Sequence, residues 1–379
     1  MKKMWILMSM LVLLLGMKVN TQGQEVLSGG PPTSFNATIH NDFEVRNGGV
    51  ANFIAPGGVI DGYMLVTGHL PTPSTATFHS PGEITGGVTV SDGGIVTFHD
   101  MATIFGGMAI SGSKMTLDKT AEITGDVTIN DNGVVLFEEA AAITGDVTIS
   151  GASTLTSNAD TTINGKLTTN NSLIYMKNAD LTVEQGLTIN GSGATFTDST
   201  ATIREKLEVN GYDVHFDRLN IDSKLDLVWE DGAGVFGSVL NISDGAIINF
   251  NLWKDSEQNV KAPVLSFDNL DWDPNANVAF NIYTNSLGDI GDISGTQIVL
   301  IKIKDEDEWW DWESGILQEI ISQVSVNDCW KVNVRPVEGG GFEIFAESSV
   351  PEPGTWGMLL TGAAGLGLVC RRRMKAAKK

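Results

Sequence analysis

Residues 123–129 read Ile-Thr-Gly-Asp-Val-Thr-Ile, and residues 143–149 repeat the same seven letters twenty positions later. Weaker copies lead from positions 84, 104, 163, 183, 203 and 221, so that successive copies begin 18 to 20 residues apart. The alternation Val-Thr-Ile places two apolar side chains on one side of the chain and a polar one on the other, as in a half-buried β-strand. A unit of this length cannot enclose a core of its own, so the units have to stack. The repeat therefore predicts a β-solenoid.

A second short strand is predicted in most units, about ten residues after the first. Val127 is followed by Phe137, Leu187 is followed by Phe196, and a degenerate copy begins as early as Phe43. The fold class that follows is all-β: a parallel β-helix of about ten coils, each of about 20 residues, within residues 25–228. We expect right-handed winding, because the hexapeptide rhythm typical of left-handed solenoids is absent from the sequence.

The composition changes after residue 228. The region 25–228 contains no Trp, whereas seven Trp residues lie between positions 229 and 330. Strand-like runs continue there, and one helix is predicted at 314–324. We interpret residues 229–348 as a β-rich module that continues and caps the solenoid, because an open last coil would leave bare strand edges.

The N-terminus has the features of a secretory signal peptide over residues 1–24. Lys2 and Lys3 precede a 14-residue apolar run at 4–17. This run is too short to favour spanning a bilayer core of about 30 Å. No Ala-x-Ala cleavage site follows, so an uncleaved anchor is the alternative. The signal-peptide interpretation implies export by the Sec machinery.

The C-terminus, residues 350–379, has three parts: a Pro-Glu-Pro triplet, an apolar stretch at 354–370 and a basic cluster. The triplet is formed by Pro351, Glu352 and Pro353, and the cluster is formed by Arg371, Arg372 and Arg373. As a helix the apolar stretch would extend about 25 Å, which is just enough for a transmembrane span. The arginines would hold its end in the cytoplasm, which places the bulk of the chain outside.

The order and spacing of these three parts resemble the PEP-CTERM sorting signal of exported proteins in Gram-negative bacteria. The resemblance implies that a membrane-embedded exosortase recognises the triplet at 351–353. It also implies that the protein is anchored in the inner membrane before cleavage and reaches the cell surface or the medium afterwards. A link to exopolysaccharide and biofilm is a further implication. A plain C-terminal membrane anchor is the alternative.

The charge of the chain excludes several classes of partner. Of 379 residues, 46 are Asp or Glu and 24 are Lys or Arg, so the formal net charge is −22. Nine of the bases lie in terminal segments without acids, which leaves 15 bases against 46 acids, a net charge of −31, for residues 24–353. Such a surface repels phosphate backbones, so we expect no nucleic-acid partner. Cys329 alone precedes the apolar tail, so no internal disulfide or Cys/His zinc cluster is expected there.

Four side chains with metal-binding chemistry are spaced so that adjacent coils would bring them into one column. His79 and His99 each follow a Phe, and Asp118 and Glu138 hold the corresponding places in the next coils. The column could supply metal ligands, and the alternative is a solvent-facing ladder without that role. We favour the ladder, and we predict no metal site, no cofactor and no catalytic residue.

Three further patterns have a functional and a structural interpretation. Residues 271–277 alternate oxygen-bearing side chains as a calcium loop begins, but they lack its Gly and Glu, so a turn is favoured. Residues 305–313 combine acids with Trp, which suits either stacking on sugar rings or an exposed loop. Thr at positions 89, 128, 148, 168 and 188 suits either an ice-binding array or an ordinary solvated strand face.

A non-enzymatic protein of the cell surface or extracellular matrix is the function that these patterns favour. The alternative is a polysaccharide-active β-helix lyase or hydrolase, which needs a basic residue with bound calcium or a cluster of carboxylates. The exported region contains four Arg, none of them in a recognisable catalytic pattern. Its acidic surface would also repel a polyanionic substrate.

Overall fold

The computed structural model describes residues 17–19, 25–54, 58–69, 71–191, 193–210, 214–221, 223–229, 234–254, 257, 259–272, 276–283, 297–304, 325–326, 330–337 and 340–348. Within these ranges every regular element is a β-strand. The described residues include no helix with the length and hydropathy of a membrane span. The helix predicted at 314–324 lies outside the described residues, as do most of 1–24 and all of 349–379.

Twenty-seven strands form the N-terminal and central coils. In chain order they are β1 (Met17–Val19), β2 (Glu25–Ser28), β3 (Thr33–Phe35), β4 (Phe43–Arg46), β5 (Val50–Phe53), β6 (Gly58–Ile60), β7 (Met64–Thr67), β8 (Thr75–Phe78), β9 (Gly82–Ile84), β10 (Val88–Ser91), β11 (Ile95–Phe98), β12 (Ala102–Ile104), β13 (Met108–Ser111), β14 (Lys114–Leu117), β15 (Ala121–Ile123), β16 (Val127–Asn130), β17 (Val134–Phe137), β18 (Ala141–Ile143), β19 (Val147–Ser150), β20 (Thr154–Ser157), β21 (Thr161–Ile163), β22 (Leu167–Asn170), β23 (Leu173–Lys177), β24 (Leu181–Val183), β25 (Leu187–Asn190), β26 (Gly193–Thr197) and β27 (Thr200–Ile203).

Thirteen strands follow toward the C-terminus. They are β28 (Glu205–Asn210), β29 (Val214–Ile221), β30 (Lys224–Trp229), β31 (Val235–Ile242), β32 (Ile247–Asn251), β33 (Trp253–Lys254), β34 (Val260–Lys261), β35 (Leu265–Trp272), β36 (Ala279–Tyr283), β37 (Gln297–Ile303), β38 (Ser325–Val326), β39 (Trp330–Pro336) and β40 (Phe342–Ser348).

The strands wind into a parallel β-solenoid of about 11 turns, which confirms the predicted fold class. Each central coil has three strands on three faces. We call face 1 the parallel series from β2, β4, β7 and β10 onward, face 2 the series from β3, β5, β8 and β11, and face 3 the series from β6, β9 and β12. Corner 1 joins face 1 to face 2, corner 2 joins face 2 to face 3, and corner 3 leads back to face 1.

Successive coils stack in register at the repeat length. Val127 of β16 pairs with Val147 of β19, and Val147 pairs with Leu167 of β22. On face 2, Val135 pairs in the same way with Leu155. Residues twenty apart therefore form straight columns, and each column faces either the core or the solvent along its whole length.

The core balances large side chains on face 2 against small ones on face 3. The rings of Phe53, Phe78 and Phe98 stack with centroids 4.2 and 4.3 Å apart. Across corner 2, face 3 begins with Gly82 and Ala102 in the corresponding coils. A Cβ atom on Gly82 would lie 2.7 Å from the Phe98 ring, so only glycine fits there.

Corner 1 is a tight turn that uses left-handed backbone. Asp92 and Gly93 have φ angles of 55° and 84°, as a two-residue type I′ turn requires. Gly94 then enters face 2, where a Cβ atom would lie 2.6 Å from the carbonyl oxygen of Val66. The Asp-Gly-Gly sequence at 92–94 is therefore fixed both by turn geometry and by close approach of the preceding coil.

The coils change construction at β29. This eight-residue strand pairs with both β26 and β27, so faces 2 and 3 become one continuous strand. The parallel ladder continues across residue 228 through β30 and β32 to β36, and through β31 and β35 to β37. β40 then pairs antiparallel with both β37 and β39, so antiparallel strands cover this end of the ladder. At the other end β1 pairs antiparallel with β2.

Candidate functional site

Acidic side chains of the central solenoid lie mainly at the corners. Corner 2 carries the largest set, which comprises Asp100, Asp118, Glu138, Glu139, Asp160, Asp180 and Asp198. By contrast, the face 2 strands from β3 to β26 contain no Asp or Glu, and the face 1 strands from β7 to β25 contain no charged residue. The solenoid therefore separates charged edges from uncharged or weakly basic faces.

The predicted His-His-Asp-Glu column is assembled at corner 2. The rings of His79 and His99 stack with centroids 5.1 Å apart, and His99 Nδ1 lies 2.5 Å from Asp118 Oδ2. Glu138 Oε2 instead accepts a hydrogen bond of 2.7 Å from the side-chain amide of Asn158 in the next coil. The four groups are distributed along the solenoid axis and contact one another in sequence. Among the described residues no group of three or more His, Cys, Asp or Glu side chains is arranged to hold a metal ion.

Aspartates at corners 2 and 3 bind the backbone of the next coil. Asp126 Oδ1 accepts a hydrogen bond of 2.9 Å from the amide of Asp146, and Asp146 Oδ1 accepts one of 2.8 Å from the amide of Lys166. Asp160 and Asp180 do the same at corner 2, each with a bond of 3.0 Å. These carboxylates satisfy amides that no strand partner reaches, which explains the Asp of the repeated heptapeptide.

Face 1 presents two outward columns of small polar side chains. The first contains Thr89, Thr128, Thr148, Thr168 and Thr188, with Ala109 in the second rung and Glu208 at its end. The second contains Ser91, Ser111, Asn130, Ser150, Asn170 and Asn190. The predicted Thr column is thus one half of a hydroxyl and amide surface that spans six strands.

An asparagine ladder ends this surface and was missed in the sequence analysis. Asn190 donates from its side-chain amide to Asn170 Oδ1 at 2.8 Å, and Asn210 donates to Asn190 Oδ1 at 2.7 Å. A further pair, Asn281 and Asn249, repeats the contact at 2.8 Å in the later coils. The twenty-residue spacing of the first three was the available signal.

Glu208 is the acid that interrupts the Thr column. Burial alone would raise its pKa, but hydrogen bonds from Lys206 and Asn210, together with the charge of Lys206, lower the net pKa below the ordinary glutamate value. Glu208 is therefore held in its charged form by neighbours on its own strand.

A cavity of about 600 Å³ opens at corner 1 beside the loop that joins β7 to β8. Its lining comprises Asn47, Thr67, Gly68, His69, Asp92, Gly93 and Gly112. The volume is in the range of small-molecule sites, but three of the seven lining residues are glycines without side chains to recognise a ligand. The arrangement supports no specific chemistry.

The other segments singled out in the sequence are only partly described. Asp271 and Trp272 end β35, and Asp271 Oδ2 lies 3.4 Å from Arg218 Nη1. The amide of Asn277 donates to Asp244 Oδ1 at 2.8 Å. Residues 273–275 and the acidic Trp run at 305–313 lie outside the described residues. The predicted sorting residues also lie outside them, namely Pro351, Glu352, Pro353, Arg371, Arg372 and Arg373.

Comparison with protein families bears on this last segment. A family model described as the PEP-CTERM protein-sorting motif matches residues 349–373. The chain carries a PEP-CTERM motif. This motif is the recognition signal of exosortases, so it marks an exported protein that is anchored in the membrane and then processed. No curated protein and no solved structure matches the chain. The motif therefore bears on sorting, and the solenoid has to be interpreted from its own residues.

Proposed function

We propose that this protein is a structural or binding component of the cell surface or extracellular matrix, delivered by an exosortase and associated with exopolysaccharide. The observation that carries the proposal is the PEP-CTERM motif at 349–373, attached to a solenoid of about 11 turns. A stack in which each coil pairs with its neighbours gives an elongated body with long repetitive faces. Such faces suit attachment to a polymer or to other matrix molecules.

The route to the surface follows from the order of the segments. The N-terminal segment directs the chain to the Sec machinery, and the apolar stretch at 354–370 stops transfer in the inner membrane. Arg371, Arg372 and Arg373 keep the end of the chain in the cytoplasm. The exosortase then cleaves near Glu352 and releases the solenoid from its anchor.

A non-catalytic role is supported by how the corner carboxylates are used. Asp126, Asp146, Asp160 and Asp180 each accept a hydrogen bond from the backbone of the following coil. A carboxylate that is occupied in this way stabilises the stack and is poorly placed to act as a general acid or base. We therefore propose that the acids of the solenoid stabilise it and do not catalyse a reaction.

Substitution of Glu352 tests the sorting proposal. In a host with a working exosortase, Glu352→Ala should leave export intact but leave the protein uncleaved in the inner membrane. Glu347→Ala is the matched control, because it removes a carboxylate five positions earlier, in β40 and outside the motif. The measurements are membrane fractionation and the mass of the mature C-terminus. A full-length C-terminus on the mature wild-type protein would refute the proposal.

The proposed polysaccharide association has a separate test. The exported protein is mixed with exopolysaccharide from the same host, and both co-sedimentation and release of reducing ends are measured. Co-sedimentation without product release supports a binding or structural role. Product release supports the lyase or hydrolase alternative, and absence of both removes exopolysaccharide as the partner.

A further inference from the structure

Face 2 differs from the rest of the protein in its charge. The chain has 46 acidic residues, yet the nine face 2 strands from β3 to β26 contain none. The charged side chains in these strands are Lys114 and Lys177. Each stands at one end of its strand, so the middle of face 2 from β3 to β26 is uncharged.

Face 2 also exposes apolar side chains in positions where face 1 has hydroxyls and amides. Val134 and Leu136 point outward from β17, and Leu173 and Tyr175 point outward from β23, with exposures of 38% and 41% for the last two. Ile95 occupies the matching outward position in β11. Strand propensity alone does not explain this difference, because leucine is not β-branched and face 1 forms an equally regular ladder with Thr, Ser and Asn. Exposed apolar rows of this kind mark interaction surfaces.

We infer that face 2 is a self-association surface that binds face 2 of a second copy of this chain. The argument for a second copy is the charge distribution. Two copies of a protein with a net charge of −22 repel each other wherever their acidic corners meet. Face 2 is the extended apolar surface on which no carboxylate of one copy is brought against a carboxylate of the other.

The two lysines fit this arrangement. Lys114 opens β14 beside corner 1, and Lys177 closes β23 beside corner 2. In a face-to-face pair these positions lie at the rim, where the corner acids of the facing copy also lie. Rim lysines therefore set opposite charges against Asp118, Glu138 and Glu139 of the second copy and favour a defined register.

The size of the surface sets the strength of the contact. Nine strands of about four residues cover roughly 13 by 38 Å, or about 500 Å² per copy. A standard stable interface buries about 800 Å² per partner, so the pairing is weak and reversible. Crowding at a cell surface raises the local concentration, and many such contacts act together along a layer of aligned molecules.

Ionic strength separates this inference from other occupants of face 2. Added salt screens the corner acids over about 8–10 Å and strengthens apolar contacts, so self-association increases with salt. Binding of an anionic polymer to the lysines would instead weaken with salt. Binding of a neutral glycan would depend little on salt and would not require a second copy.

The test is sedimentation equilibrium of the exported protein, purified from its host at low and at high salt. Intact mass identifies whether the C-terminal anchor is present, so the result is independent of the sorting proposal. Leu136→Glu is compared with Thr148→Glu. Both positions are partly exposed on a strand, and both lie between two threonines, since Leu136 pairs with Thr116 and Thr156 while Thr148 pairs with Thr128 and Thr168.

We expect salt-enhanced association of the wild type, reduced about tenfold or more by Leu136→Glu and less than about twofold by Thr148→Glu. Tyr175→Glu is a second face 2 variant in case Leu136→Glu does not fold, and thermal melting checks each protein. A wild type that is monomeric at both salt concentrations overturns the inference. Equal effects of the face 1 and face 2 variants also overturn it, as does association that falls with salt.

Discussion

Between β10 and β25 each coil carries three short strands, whereas from β28 onward each coil contributes two strands to the ladder, one of them seven or eight residues long. In the central coils the step is constant, since Val127, Val147, Leu167 and Leu187 follow at 20 residues. In the later coils Leu225 pairs with Ile248 and Ile248 with Phe280, steps of 23 and 32 residues.

This difference teaches what the stack requires. The ladder and its inward columns persist through both regions, so they provide the stacking energy in both. The extra residues of the later coils leave the ladder at a corner, as the antiparallel pair β33 and β34 does between β32 and β35. Constant length is required only where tight corners, with their glycines and backbone-binding aspartates, are stacked on one another.

The largest expected effect tests whether the ladder is equally demanding in both regions. Val147→Asp places a charge between Val127 and Leu167, and Ile248→Asp places one between Leu225 and Phe280. Both parent residues are at most 1% exposed, so each variant should lose at least about 3 kcal/mol of unfolding free energy. Urea denaturation followed by circular dichroism measures the loss.

Thr148→Asp is the control for the central site, because its side chain points outward from the same strand. If Val147→Asp unfolded at the parent's urea concentration, the assigned register would be wrong. If only Ile248→Asp were tolerated, the later coils would not use the ladder in the same way.

A pair of glycines tests the difference between the corners. Gly94→Ala puts a methyl group against the Val66 carbonyl, which should cost about 1–3 kcal/mol. Gly245 lies in the later coils with a φ of 79°, and a Cβ atom added to it would meet no other atom within 4 Å. Gly245→Ala should therefore cost only about 1 kcal/mol of backbone strain. Thermal unfolding of both variants gives the comparison. A larger loss for Gly245→Ala would show that the central corners are no tighter than the later ones.

The asparagine pairs allow a smaller test on the surface. Asn190→Ala removes contacts with Asn170 and Asn210 on an open face and should cost about 1 kcal/mol. Asn249→Ala should cost about 2 kcal/mol, because Asn249 is 1% exposed and also donates to the Asp226 carboxylate. Ser150→Ala, in the same outward column as Asn190, should be nearly neutral. Equal losses for the two Asn variants would contradict this ranking.

The smallest expected effect is a pH dependence at the boundary between the two regions, where Glu208 lies. Its folded pKa is lowered, so its charged form stabilises the fold above the ordinary glutamate value of 4.5, and this contribution is lost as the pH falls through the folded pKa. Glu208→Gln should therefore flatten the acid limb of stability against pH while leaving neutral stability close to that of the parent. Urea midpoints between pH 3 and pH 7 measure the effect. An unchanged acid limb would assign the pH dependence to other carboxylates.

The sequence predicted the central coils well for a physical reason. Identical heptapeptides at 123–129 and 143–149 must take the same place in successive coils, so the register follows from the spacing alone. Face 3 was not anticipated as a separate strand. Its strands have three residues, as in Ala121–Ile123, and one outward side chain such as Glu122 is too short a pattern for alternation to be recognised.

The later coils and the surface were harder to predict. The merging of faces 2 and 3 depends on the loss of a corner at β29, where no glycine or repeated motif marks the change. The asparagine ladder and the uncharged face 2 become visible only when residues twenty apart are aligned by strand pairing. The sorting motif was accessible because it is a linear signal, in which residue order alone carries the information.

The one-neighbour-at-a-time pairing of coils also bears on how the protein crosses a membrane. A chain that emerges N-terminus first can add each coil to the preceding one once about twenty more residues have appeared outside. Every completed coil then hinders the chain from sliding back, as a pawl does in a ratchet. The antiparallel strands β39 and β40 emerge last, and their pairing with β37 closes the growing end just before the sorting motif. We expect translocation and folding to proceed together, with the final closure timed to the arrival of the membrane anchor.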